Sequence, residues 1–222
     1  MNIALFDIDG TLTESNEIDS LCFADAFRDI FGVGIDTNWN SYQHTTDRGI
    51  VVEALRRLRG READAQEIAL HRSRFLQLLR ERMTELNEIP GAAALLSQLL
   101  AHDWRVVLCT GAWSDSARLK LLGAGLPTDL QLASCDDDIA REGILRRGIA
   151  LAGGSEGDVV VSFGDAPWDV RAAANLRIPF IGIAAGARAE SLRRSGAAEV
   201  FADFEDAAAV FAGIDRCVRC SA

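Results

Sequence analysis

From residue 92 onward, short runs of β-branched and apolar residues alternate with helix-length amphipathic stretches. That alternation is the pattern of a parallel sheet covered by helices. Together with the opening apolar run, it predicts strands over 3–6, 106–109, 130–133, 159–163, 180–183 and 199–201. Helices are expected between them, over 92–101, 114–122, 141–152, 168–175, 187–194 and 206–212. The segment from 15 to 88 contains no comparable strand and is far longer than a βα loop of roughly 2–6 residues. Ile18, Cys22, Phe23, Ala26, Phe27, Ile30 and Phe31 recur there at helical spacing, as do Ile68, Phe75, Leu79, Met83 and Leu86 further on. Between these two stretches, Thr46 is placed to cap a helix carrying Ile50, Val51, Ala54, Leu55 and Leu58. The expected architecture is a doubly wound α/β core, residues 1–14 and 89–222, with a small all-helical cap, residues 15–88, inserted after the first strand.

Length and composition narrow the classes of function. A chain of 222 residues can bury a sizeable core, and its 49% hydrophobic and 25% charged residues suit a globular protein. No window approaches the 18 or so apolar residues of a membrane span, so no membrane association is expected. The first strand and a carboxylate at position 7 come where a cleavable leader would lie, which makes a cytoplasmic location the default expectation. A formal charge of −10 argues against nucleic acid as a partner, because phosphate backbones are held by basic surfaces. The five cysteines are odd in number and lack the spacing of a disulfide framework. Cys217 and Cys220 form a C-x-x-C, which is half of a zinc site, and His44, His71 and His102 are far off in sequence. Reduced thiols are therefore expected. A monomer or homodimer is the expected state.

The candidate chemistry lies just past the strands, where ligands bind in open α/β sheets. Asp7 and Asp9 follow the first strand, Thr110 and Gly111 the second, and Asp165 the fourth, with Asp169 four residues on; Arg141 opens a helix between these groups. Carboxylates converging on one crevice repel unless a cation neutralises them, and hard oxygen ligands with room for substrate phosphate point to Mg²⁺. One carboxylate can then attack phosphorus to give an aspartyl phosphate. A second, two residues on, can protonate the leaving oxygen and later deprotonate water. Asp7 and Asp9 have that spacing. Charge on the phosphoryl oxygens calls for donors, and the Thr110 hydroxyl, the Gly111 amide and Arg141 suit that part.

These residues also resemble the haloacid dehalogenase superfamily. Asp7-Ile8-Asp9-Gly10-Thr11 is similar to its first motif, Val107-Leu108-Cys109-Thr110-Gly111 to its second, and Phe163-Gly164-Asp165-Ala166-Pro167-Trp168-Asp169 to its fourth. The resemblance implies Asp7 as nucleophile and metal ligand, and Asp9 as acid/base with its main-chain carbonyl on Mg²⁺. It further implies Thr110 as a phosphate ligand, Asp165 as a metal ligand and Asp169 as support of the metal shell. The helical insert resembles the family's cap, placed as in its phosphoglycolate phosphatase-like phosphatases. Most members carry a lysine in the third motif, whereas the one lysine here, Lys120, lies in the helix after the second motif. Arg141 is taken as the substitute, with Arg146 and Arg147 as rivals. Asp9 favours phosphoester chemistry, since dehalogenases and phosphonate hydrolases of that family lack an aspartate at this position.

The expected function is Mg²⁺-dependent hydrolysis of a small phosphorylated metabolite. A sugar-phosphate mutase using the same groups, or a catalytically weak regulatory protein on the same fold, are the alternatives. In the cap, Thr46, Asp47 and Arg48 are candidates for selecting substrate, and Trp39, Trp113 and Trp168 are candidates for lining a pocket.

Overall fold

The structure is a computed structural model in which residues 1–221 are described, apart from the side chains of Cys220 and Ser221. The C-x-x-C partner of Cys217 thus lies outside the described side chains. In chain order the elements are β1 (Asn2–Phe6), α1 (Asn16–Phe31), α2 (Asp47–Arg59), α3 (Ala65–Arg82), α4 (Ala92–Ala101), β2 (Trp104–Cys109), α5 (Ser114–Gly123) and β3 (Gln131–Ala133). They continue with α6 (Arg141–Leu151), β4 (Val159–Gly164), α7 (Pro167–Asn175), β5 (Phe180–Ile183), α8 (Gly186–Arg194), β6 (Glu199–Phe201) and α9 (Ala207–Ser221).

The strands form one parallel sheet in the order β3-β2-β1-β4-β5-β6. Because side chains alternate across a strand, β1 sends Ala4 and Phe6 to one face and Ile3 and Leu5 to the other. Phe6 stacks on Phe163 of β4 with ring centroids 4.2 Å apart, and both rings meet Phe204 edge-on. On that face the core is completed by Leu95 and Leu99 of α4, Ala117 and Leu121 of α5, and Val210 and Ile214 of α9. On the other, Ile144 and Leu145 of α6 and Ala172 of α7 cover Leu5, Val107 and Cys109. Burial on both faces is why these strands read as continuous apolar runs.

Two helix ends differ from the sequence reading by more than one residue. α9 continues past 212, through a glycine that invites a stop. A Cβ at Gly213 would lie 2.8 Å from the Phe201 ring, so that glycine serves close helix–sheet packing, and buried Ile214 and Cys217 follow it. Conversely, α3 ends at Arg82, leaving Met83 and Leu86 outside the helix. The chain must turn there to return beside β1, where the Glu14 amide donates to the Asn87 carbonyl (3.0 Å).

Helices α1, α2 and α3 gather a separate apolar cluster. Phe23, Phe27, Val51, Leu55, Phe75 and Leu79 are its centre, and Trp113 and Cys135 enter it from the loops after β2 and β3. The Thr46 hydroxyl caps α2 as expected, accepting from the Gly49 amide at 3.2 Å. His71 is wholly buried in this cluster, with Nε2 3.1 Å from the Phe23 carbonyl. Among the described residues no helix is long and apolar enough to cross a membrane.

Candidate active site

The register of the sheet assembles the site. Phe6 is level with Leu108 of β2 and Phe163 of β4, so the chain leaves all three strands at one edge. Asp7, Thr110 and Asp165 are therefore brought to the same end, between β1 and β4, where successive strands begin to run outward in opposite directions. Such a switch point is the ligand crevice of open α/β sheets. The Asp7 amide donates to the Phe163 carbonyl (3.0 Å), tying the carboxylate's backbone to the adjacent strand.

Asp7, Asp165 and Asp169 are all buried, and each offers a carboxylate oxygen within 4.8 Å of the others. α7 places Asp169: its first residue, Pro167, suits an N-terminus, and the Asp169 carboxylate accepts from the Ala166 amide at 3.3 Å. Burial, with mutual repulsion, raises the pKa of Asp7 and of Asp165 to about 7 and that of Asp169 to about 6. Such a set demands positive charge. Protein cations supply part of it. Arg141 Nη1 donates to Asp169 (2.7 Å) and to Asp7 (3.2 Å), and Arg188 pairs with Asp165. Burial opposes charge on Arg141, but Asp169 and Asp7 more than offset that and hold its pKa above the usual value. The three carboxylates are hard oxygen donors in small number, which fits Mg²⁺.

The turn after Asp7 is built around Gly10, whose φ of 72° is left-handed. A Cβ there would overlap Asn16 and Asp165, the pair joined by an Asn16 Nδ2 to Asp165 hydrogen bond of 2.8 Å. Asp9 points elsewhere than the three-carboxylate cluster. Its Oδ1 accepts from Ser15, and its Oδ2 accepts from Lys120 Nζ at 2.6 Å. Lys120 has no exposed side-chain surface and donates equally closely to Asp19 of α1, at 2.7 Å. Burial opposes its charge, but Asp19, Asp9 and Asp47 keep it protonated.

Thr110 Oγ1 accepts from the Ala112 amide (3.1 Å), which leaves its hydrogen to donate. Gly111 touches the helical insert. Its carbonyl accepts from the Asp47 amide (2.8 Å), and a Cβ on it would come within 2.6 Å of Arg141 Nη2 and 2.9 Å of the Thr45 carbonyl. Arg141 itself donates to that carbonyl at 3.3 Å.

The structure thus brings Asp7, Thr110, Gly111, Arg141, Asp165 and Asp169 to one crevice, with Asp9 at its rim. Arg147 pairs with Asp137, and Arg146 lines a hollow at the far end of the sheet, so neither rival reaches the carboxylates. In the insert, Asp47 lines a cavity over the crevice and accepts from the Trp113 amide (3.0 Å). Thr46 donates its hydroxyl to the Ile139 carbonyl (2.9 Å), while Arg48 is exposed and away from that cavity. Trp39 and Trp168 line it, whereas Trp113 is buried in the α1–α3 cluster. A larger hollow, ≈ 600 Å³, opens at the opposite end of the sheet around Asp158 and Arg177, far from the three-carboxylate cluster. Lys120, Asp19, Ser15, Asn16 and Arg188 were missed by sequence reasoning. Lys120 left a signal: the one lysine of the chain sits on the apolar side of α5, beside Ala117 and Leu121.

A family model described as haloacid dehalogenase-like hydrolase matches residues 1–177. The chain is 30% identical, over 151 residues, to a phosphoglycolate phosphatase of Rhodospirillum rubrum, a match covering 65% of this chain and 63% of that protein's length. Among solved structures, a hydrolase from Pseudomonas syringae superposes with a TM-score of 0.77 at 20% identity, covering 96% of this chain and 98% of its own. CbbY from Rhodobacter sphaeroides, solved in complex with phosphate, gives 0.76 at 20% identity over 97% and 99%. At such identities these two likenesses speak for the fold alone. The motif order, the carboxylate crevice at the end of β1 and the matching family model together place the chain in the haloacid dehalogenase-like hydrolase family.

Proposed function

We propose that the protein is a Mg²⁺-dependent phosphatase of small phosphate monoesters. The observation that carries this reading is the meeting of Asp7 with Asp165, Asp169 and Arg141 at the end of the central strand, with Asp9 two residues on. Asp7 is fixed by its strand, so its carboxylate oxygen can attack phosphorus in line, forming an acyl phosphate as the ester P–O bond breaks. Asp9 gives its proton to the departing oxygen. In the second half it takes a proton from water, which attacks phosphorus, releases inorganic phosphate and restores the Asp7 carboxylate. The Thr110 hydroxyl, the Gly111 amide and Arg141 bind the phosphoryl oxygens as charge gathers on them.

Asp7, Asp165 and Asp169, with the main-chain carbonyl of Asp9, would hold the metal. A bound Mg²⁺ would neutralise the charge that accumulates when an anionic phosphate meets an anionic nucleophile. Residues 15–88 act as the cap. Support comes from their own apolar cluster and from the polar ties of Thr45, Thr46 and Asp47 to Arg141, Ile139, Gly111 and Trp113.

Phosphate release from a broad panel of phosphorylated metabolites tests the reading. Turnover should require Mg²⁺, stop with EDTA and fall at least about 10³-fold in Asp7→Asn. No release from any compound, or intact turnover in Asp7→Asn, would overturn it, and isomerised sugar phosphate without free phosphate would replace it with a mutase.

A further inference from the structure

Between cap and core lies a cavity of ≈ 90 Å³ that opens onto Asp9, where a leaving group would depart. Its walls include Phe23, Trp39 and Trp168, and its charged lining is Asp9, Asp19 and Asp47 against the single cation Arg141, with Asn16, Ser20 and Thr45 as neutral polar groups. Two cations lie close by, and both are committed. Lys120 is tied to Asp9 and Asp19, and Arg141 contacts Asp7 and Asp169 and is the group assigned to the phosphoryl oxygens. One ammonium thus serves three carboxyl groups. His44 and Arg171 face a separate hollow of ≈ 100 Å³ on the far side of Thr45 and Arg141, and Arg188 is paired with Asp165. Asp19 and Asp47 are dear to keep ionised. Burial and then neighbouring carboxylates push the Asp19 pKa up to about 6 and that of Asp47 well above the carboxylate range, while Lys120 pulls the other way.

Size and charge together restrict what fits. The space between Phe23, Trp39 and Trp168 is small, ≈ 90 Å³. A second anion on the ester would bring neither a proton nor positive charge to Asp19 and Asp47, which depend on the one ammonium of Lys120 and which burial sets against carrying charge. A hydroxyl could instead donate to Asp19 or Asp47, and an ammonium would supply the charge they lack.

We propose that this cavity selects small hydroxyalkyl or aminoalkyl phosphates and turns away esters carrying a second anionic group, with Asp19 and Asp47 as the specificity-determining residues. The inference rests on the phosphatase reading above. It also separates this chain from the substrate for which its Rhodospirillum rubrum relative is named, because phosphoglycolate carries a carboxylate.

The test holds size constant and varies charge. Phosphoethanolamine, 2-hydroxyethyl phosphate and 2-phosphoglycolate differ mainly in whether the two-carbon arm ends in an ammonium, a hydroxyl or a carboxylate. With wild-type protein and Mg²⁺, kcat/KM for the first two should exceed that for phosphoglycolate by at least about 10-fold. In Asp47→Asn and Asp19→Asn the ratio should shrink by about fivefold or more, whatever the absolute rate. Calorimetric binding of the same three compounds to Asp7→Asn should follow the same order, which tests the selection even without turnover. Equal or better use or binding of phosphoglycolate overturns the inference. Cleavage of p-nitrophenyl phosphate with none of the three turned over or bound overturns it as well, yet leaves the phosphatase reading standing. No phosphate from any compound, with the binding order as expected, would fail the phosphatase reading and keep the selection.

Discussion

Lys120 shows how much one residue can carry. It is the single ammonium among Asp9, Asp19 and Asp47, and it has no exposed side-chain surface. Taking one partner from a buried ion pair leaves the others uncompensated, which costs about 3–5 kcal/mol. Lys120→Met should therefore lower the free energy of urea unfolding at pH 7 by about that amount, and a change under about 1 kcal/mol would show that water reaches these carboxylates. Gly10 is constrained differently. Its φ of 72° and the space claimed by Asn16 and Asp165 leave no place for a Cβ. Gly10→Ala should destabilise the fold by about 1–3 kcal/mol and weaken Mg²⁺ affinity, read by isothermal titration of the metal, because Asp165 would be displaced. Asp7, Asp9 and Asp165 stood out in the sequence because they follow apolar strands. Asp19, in the first turn of α1, did not, and the pairing of Lys120 within α5 gains its meaning only from the partners that folding brings to it.

At the scale of elements, α1 and α3 close on His71. The imidazole is buried among Phe23, Phe27, Phe75 and Trp113, with Nδ1 unpaired. Burial lowers its pKa from 6.5 to about 4, against the hydrogen bond to the Phe23 carbonyl. The unfolded chain protonates this histidine below pH 6.5 while the folded one does not. Its contribution to stability is thus complete above pH 6.5 and lost as pH falls towards 4, a loss of about 2 kcal/mol at pH 5. Unfolding free energies at pH 7 and pH 5 should differ less in His71→Phe than in the wild type by about that amount, and an unchanged difference would assign the acid limb to other groups. The periodicity of α1, α2 and α3 was legible before their packing was known. Their ends were less so, because α3 stops where the return to β1 requires a turn and α9 runs on through Gly213 where the Phe201 ring needs room.

At the scale of the whole molecule, three buried carboxylates are held within reach of one another by a sheet that cannot relax away from them. A cation that binds only the folded chain should stabilise it. Millimolar Mg²⁺ is expected to raise the melting temperature of the wild type by a few degrees, about 2–4 °C per kcal/mol of binding, and to leave Asp165→Asn nearly unmoved. Equal shifts in both would place the metal elsewhere. The helical insert is lashed to the core at the same time. Arg72 of α3 reaches Asp115 (3.0 Å) and Asp136 (2.6 Å), and Thr46 and Asp47 bond to the loops beyond β2 and β3.

The sequence by itself determined the alternation of strand and helix, and it made the insert and the candidates Asp7, Asp9, Thr110, Arg141, Asp165 and Asp169 legible. All of these depend on local order along the chain: apolar runs of strand length, helical spacing, and polar residues just beyond a strand's carboxyl end. Tertiary structure alone decided which cation faces which carboxylate. Arg141 lies on Asp7 and Asp169, whereas Lys120 serves Asp9 and Asp19 from a helix more than a hundred residues away in sequence. It alone decided, too, that Asp19 joins Asp9 and the cap candidate Asp47 around one cavity, since the two come from the first turns of different helices. Charge pairing acts through space over a few ångströms, and no spacing along the chain encodes it.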